Sequence, residues 1–135
     1  MKLSLIYNLL VEGNKVIEKL KNQNQSTLPK IRVEKVFFHG VPEMSFYHEV
    51  TKEAQPHIGT DAFKDEKVDV KMIVPTQRNL NINNIEDVFD SDKPTELVKD
   101  GQFYYVIDGH HRIASKILKG KGKIIAKVYT NNDSF

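Results

Sequence analysis

Residues 103–120, "FYYVIDGHHRIASKILKG", decide how this chain is read. The run Phe103 to Ile107 is aromatic and aliphatic, follows a turn pair at Asp100 and Gly101, and is expected to be a strand. Beyond Arg112, Ile113, Ile117 and Leu118 recur on one helical face, and Gly120 stands where a helix C-terminus favours glycine. Asp108, Gly109, His110, His111 and Arg112 lie between the two patterns. A strand is therefore expected to pass into a helix through a glycine turn.

That junction has the chemistry of an anion site. Gly109 permits a sharp turn and close approach of a ligand to the backbone. The first amides of the following helix carry partial positive charge, and Arg112 adds a planar fork suited to phosphate oxygens. His110 and His111 supply groups able to donate, accept or ligate near neutral pH. Asp108 is open to several roles: orienting a histidine, holding magnesium beside a triphosphate, acting as a base, or simply capping the helix.

Working outward, "VDVKMIVPTQ" alternates Val68, Val70, Met72 and Val74 and is expected to be one strand ended by Pro75. "KIRVEKVFF", residues 30–38, alternates well enough for another, and "KIIAKVY", residues 123–129, for a last. Asn83 or Asn84 is expected to cap a short helix carrying Ile85, Val88 and Phe89. Residues 39–67 hold Gly, Pro and three of the five histidines without a sustained period; they read as a long loop with a short helix near residues 48–54. At the N-terminus Leu3, Ile6, Leu9, Leu10, Val16, Ile17 and Leu20 follow the spacing of an amphipathic helix. Residues 1–25 thus read as a helical arm and 26–135 as the domain proper. The arm's apolar face calls for a partner: the domain itself, a second copy, or another protein.

Composition narrows the classes. The 135 residues make one ordinary domain, 39% hydrophobic and 28% charged, with a formal charge of +2 and no cysteine. Disulfides, thiolate zinc sites and thiol catalysis are excluded, and no overwhelming basic field announces nucleic acid. The N-terminal apolar stretch is interrupted by Asn8, Glu12 and Asn14, with no small-residue cleavage site, and no window reaches the length of a membrane span. A cytoplasmic protein without membrane association is expected. The "KGKGK" run at 119–123 reads as a solvated turn, and His39, His48 and His57 as scattered surface residues.

"YYVIDGHHRIASKILKGKGKIIAKVY" resembles the signature segment of the ParB N-terminal domain and sulfiredoxin superfamily, and "VDVKMIVPTQRNL" is similar to its upstream strand. The resemblance covers about residues 68–129. The Asp-Gly-His-His-Arg form is like that of proteins labelled ParB-like nucleases. It implies an α+β fold, a small mixed sheet with flanking helices. Gly109 and Arg112 match the family's phosphate-contacting positions, as do Gln77 and Arg78 upstream. The resemblance implies phosphate binding directed at nucleic acid or nucleoside triphosphates such as ATP or CTP, with Mg²⁺ near Asp108 and nuclease or triphosphatase activity. Asp108, His110 and His111 would be its catalytic groups. His110 stands where sulfiredoxins carry their catalytic cysteine, so sulfinic acid reduction is excluded. The pair also departs from the Glu-Arg of chromosome-partitioning ParB proteins, and the sequence ends six residues after the last expected strand, so their centromere binding is not expected. Two alternatives stand beside this: a small-molecule kinase of the free-serine type, and a non-catalytic binding or assembly module docking through the N-terminal arm.

Overall fold

The computed structural model describes residues 30–131. The N-terminal arm expected over residues 1–25 lies outside them. In chain order the elements are β1 (Lys30–Arg32), α1 (Met44–Thr51), β2 (Lys64–Asp69), β3 (Ile73–Val74), β4 (Asn79–Asn81), α2 (Ile82–Asp87), β5 (Glu96–Asp100), β6 (Phe103–Asp108), α3 (His110–Leu118) and β7 (Lys123–Thr130). Five strands form a mixed sheet in the order β2-β7-β5-β6-β3, and β1 pairs with β4 in a separate antiparallel ribbon. The fold is α+β, with a small mixed sheet and helices beside it.

Two expected strands are corrected. "KIRVEKVFF" is extended only over Lys30–Arg32; Val33–Lys35 then forms a 3-10 turn, and the Phe37 amide donates to the Val33 carbonyl at 2.7 Å. Val33, Val36 and Phe37 are all fully buried, a three-and-four spacing that the period-two reading mistook for a strand. "VDVKMIV" is likewise broken at a 3-10 turn, Val70–Met72, whose start is capped by the Asp69 carboxylate accepting from the Lys71 amide at 2.9 Å. Its two halves lie at opposite edges of the sheet.

That break governs the shape of the sheet. A flat five-stranded sheet would separate its edge strands by about 19 Å at about 4.8 Å per step. The four residue steps from Asp69 to Ile73 reach at most about 14 Å. The sheet must therefore curl toward closure.

Side chains on the two faces feed two cores. Leu97, Tyr104, Val106, Ile124, Ala126 and Val128 face Ile113, Ala114, Ile117 and Leu118 of α3 and Ile82 and Ile85 of α2. Val74, Val98 and Tyr105 face Val50 of α1, with Ala54 and Phe63. Tyr104 and Tyr105, adjacent in β6, thus serve opposite layers. Strand β5, not foreseen from sequence, buries Leu97 and Val98 on successive positions because it is covered on both faces, so it shows no alternation. Within residues 39–67 the short helix expected near 48–54 is α1, four residues earlier at Met44–Thr51, and the rest holds a 3-10 turn at Gln55–His57 and the start of β2.

Helix α3 is bounded as its sequence proposes. Gly120 has φ +87°, its amide donates to the Ile117 carbonyl, and the Lys121 amide reaches back to Lys116, each at 3.0 Å. This is a Schellman closure, and it leaves "KGKGK" as an exposed turn into β7.

Candidate functional site at the β6 to α3 turn

Strand β3 runs parallel to β6 and ends beside Tyr105, and the chain after β3 continues along β6 toward its end at Asp108, where α3 begins. Crevices outside strand C-termini are where open α/β sheets bind ligands. A cleft of about 470 Å³ opens at this point. Thr76 and Gln77 line it from the chain after β3, Ile107 to Arg112 from the turn, and Asn84, Asp87 and Val88 from α2 and its C-terminal end.

Gly109, not Asp108, is the N-cap of α3, with φ +103° and ψ +27°. That left-handed geometry is open to glycine without penalty. Space also requires glycine: a Cβ at position 109 would stand 2.5 Å from Cγ2 and 2.9 Å from Cβ of Thr95. Asp108, freed from capping, extends into solvent and meets Nη2 of Arg112 at 3.1 Å. The Arg112 side chain is only 15% exposed and also donates through Nη2 to the Pro94 carbonyl at 3.3 Å. Its Nε is buried and makes no hydrogen bond. The guanidinium is thus held in place through one nitrogen beside the first turn of α3.

The adjacent histidines act as acceptors. Nε2 of His110 receives the Thr76 amide at 2.8 Å, and Nε2 of His111 receives the Asn81 amide at 3.0 Å. A backbone amide can only donate, so each Nε2 presents a lone pair and each neutral ring carries its proton on Nδ1. Thr76 completes the first bridge by donating its hydroxyl to the Val106 carbonyl at 2.6 Å. Burial lowers the pKa of His110 to about 4; the neighbouring His111 pushes the same way, and Asp108 opposes them. Burial lowers His111 as well. The pair therefore pins the first turn of α3 to Thr76 and Asn81, and Thr76 and Gln77 form the opposite wall of the cleft.

Of the other expected site residues, Gln77 lines the cleft, with its amide nitrogen donating to the Asn79 carbonyl at 2.8 Å. Arg78 is exposed and is not among the lining residues. His39 bonds the Lys71 carbonyl at 2.7 Å and packs edge-on against Phe103, and His57 stacks on Tyr129. Among the described residues no group of three or more His, Asp or Glu could hold a metal ion. Nor, among them, is any helix long and apolar enough to cross a membrane.

Sequence reading missed Thr76, Asn81 and Thr95. Thr76 and Asn81 meet the histidines through backbone amides, which carry no residue signature. Thr95 is defined by what it denies to position 109. Asn84 and Asp87 were unexpected too; they stand three apart on α2, a spacing that puts them on one helical face.

No family model matches the chain, and no curated protein matches it.

Proposed function

We propose that the β6 to α3 turn binds phosphate and that the protein acts on nucleoside triphosphates or nucleic acid in the manner of a ParB-like phosphate-processing domain. The observation that carries this is the Arg112 guanidinium, fixed by Asp108 and Pro94 beside an α3 N-terminus that no side chain caps, at the mouth of a polar cleft. A phosphate there would accept from the first-turn amides and from the arginine. The Asp108 carboxylate already occupies part of the arginine fork, as the counter-ion an incoming phosphate would exchange with.

In this reading Asp108 is the acid-base group, since it is exposed and reaches the cleft. His110 and His111, whose Nε2 atoms hold backbone amides, are positioning residues that fix the turn. Magnesium typically binds through one or two carboxylates plus phosphate oxygens, so it fits this cleft only together with a phosphate ligand. With magnesium bound, Asp108 would hold it in place of serving as the acid-base group, and the ion would neutralise charge on the phosphate oxygens. Phosphoryl transfer to a small molecule uses the same parts. A non-catalytic role would leave the phosphate contacts and remove the turnover.

Isothermal titration with ATP, CTP and a short DNA, with and without magnesium, tests the proposal. Saturable binding is expected, weakened about ten- to a hundredfold by Arg112→Ala, the range for losing one charge-assisted hydrogen bond of about 1.5–3 kcal/mol. A folded wild-type protein that binds none of them would overturn it.

A further inference from the structure

The Asp108–Arg112 ion pair has a cleft on each side. Beyond it, a second cavity of about 370 Å³ is lined by Gly59 to Asp61, Phe63, Lys93, Pro94, Glu96 and Lys127, together with Asp108 and Arg112 themselves. Its walls differ in kind from those of the first. Phe63 and Pro94 give it an apolar side, and the Phe63 ring is fixed against Tyr129 at 5.6 Å.

Its charges are unevenly satisfied. Strands β5 and β6 shift register between Glu96 and Leu97, and the shift sets Glu96 directly opposite Asp108. Like charges directly opposed across strands destabilise a sheet unless a cation intervenes. Arg112 takes Asp108, and Lys127, the register partner of Glu96 in β7, is drawn off by Asp65 at 2.7 Å. Among the described residues Glu96 and Asp61 have no ion-pair partner, and Lys93 is the one cation of the lining left over. The cavity thus combines an apolar wall, two uncompensated carboxylates and one ammonium.

We propose that this second cavity binds a small organic amine with an apolar body, its ammonium directed to Glu96 and Asp61 and its body against Phe63 and Pro94. Of the lining's unpaired charges two are carboxylates and one is the Lys93 ammonium, so an anionic molecule of the same shape would find one partner and two repelling groups. The site does not rest on phosphate binding in the first cleft. Because the two cavities share the Asp108–Arg112 wall, a molecule bound here also lies next to whatever occupies the first.

Tyramine and 3-(4-hydroxyphenyl)propionate, which share a ring and differ in the sign of the chain end, make the test. Each is titrated into ¹⁵N-labelled full-length protein without phosphate ligands, and again into the Asp61→Asn, Glu96→Gln double variant. The expected result is saturable shifts for tyramine at the amides of residues 59–63, Lys93, Thr95 and Glu96, a loss of about tenfold or more in affinity in the double variant, and no saturable shifts for the propionate. The proposal is overturned if tyramine leaves a folded protein's spectrum unchanged. It is equally overturned if tyramine shifts only residues 107–112, if the propionate binds as well, or if the double variant binds tyramine as tightly as the wild type.

Discussion

Position 109 shows how much of the site one residue fixes. Its φ of +103° and the Thr95 side chain 2.5 Å from a notional Cβ act together, so Gly109→Ala incurs both backbone strain and a clash. The expected loss is about 2–4 kcal/mol of unfolding free energy by chemical denaturation. Adding Thr95→Ser should recover part of it, because Cγ2 is removed while the dihedral strain stays. Glycine at this point was legible in the sequence as a turn. Its packing against Thr95 was not, because that contact joins the residue before β5 to the residue after β6, beside a shift of register that no local pattern signals.

The histidines make a second prediction at the residue scale. In the unfolded chain His110 titrates near 6.5, and in the folded protein at about 4, because burial disfavours the charged ring. A depressed folded pKa means that the unfolded state takes up the proton first as pH falls. The stability is therefore fully present above pH 6.5 and is lost progressively down to about pH 4, on the order of 3 kcal/mol for this ring. Protonation would also turn the Nε2 acceptor into a donor facing the Thr76 amide. His110→Gln should make the stability profile shallower over that window, with the smaller contribution of His111 left in place, measured by urea unfolding at a series of pH values. An unchanged slope would count against the buried neutral ring.

Among the elements, α2 shows a helix fixed by the residue just before it. At six residues it is too short to persist alone, and the Asn81 side chain accepts from the Asn83 and Asn84 amides at 2.9 and 3.4 Å. Asn81→Ala should cost about 1 kcal/mol, and Asn81→Asp should restore most of it, in thermal unfolding. The sequence pointed to an asparagine cap but placed it two or three residues late, at Asn83 or Asn84; three asparagines within four positions offer equivalent side chains. Helix α3 was the more legible element, since its apolar stripe and its terminal Gly120 agree. The strands around residues 33 and 70 were misread because short 3-10 turns keep buried residues at spacings that imitate alternation.

For the whole molecule, the mixed α+β class followed from the succession of strand and helix patterns. The curl of the sheet did not, because it depends on three residues, Val70–Met72, joining opposite edges. Curling and the short β3 bring Thr76 and Gln77 against the turn after β6, so the cleft is made by tertiary closure across some thirty positions of sequence. The candidate site was thus half legible: the turn residues could be named, and their opposite wall could not. Ile113, fully buried between α3 and the sheet, ties the turn to that closure. Ile113→Ala should cost about 2–5 kcal/mol and loosen the cleft with the core.

The most direct measurement is a titration of ¹⁵N-labelled protein with pyrophosphate, followed at the amides of residues 109–112. Saturable shifts centred on those amides, absent in Arg112→Ala, are the predicted result. Shifts that appear elsewhere while residues 109–112 stay unmoved would contradict a phosphate site at the β6 to α3 turn.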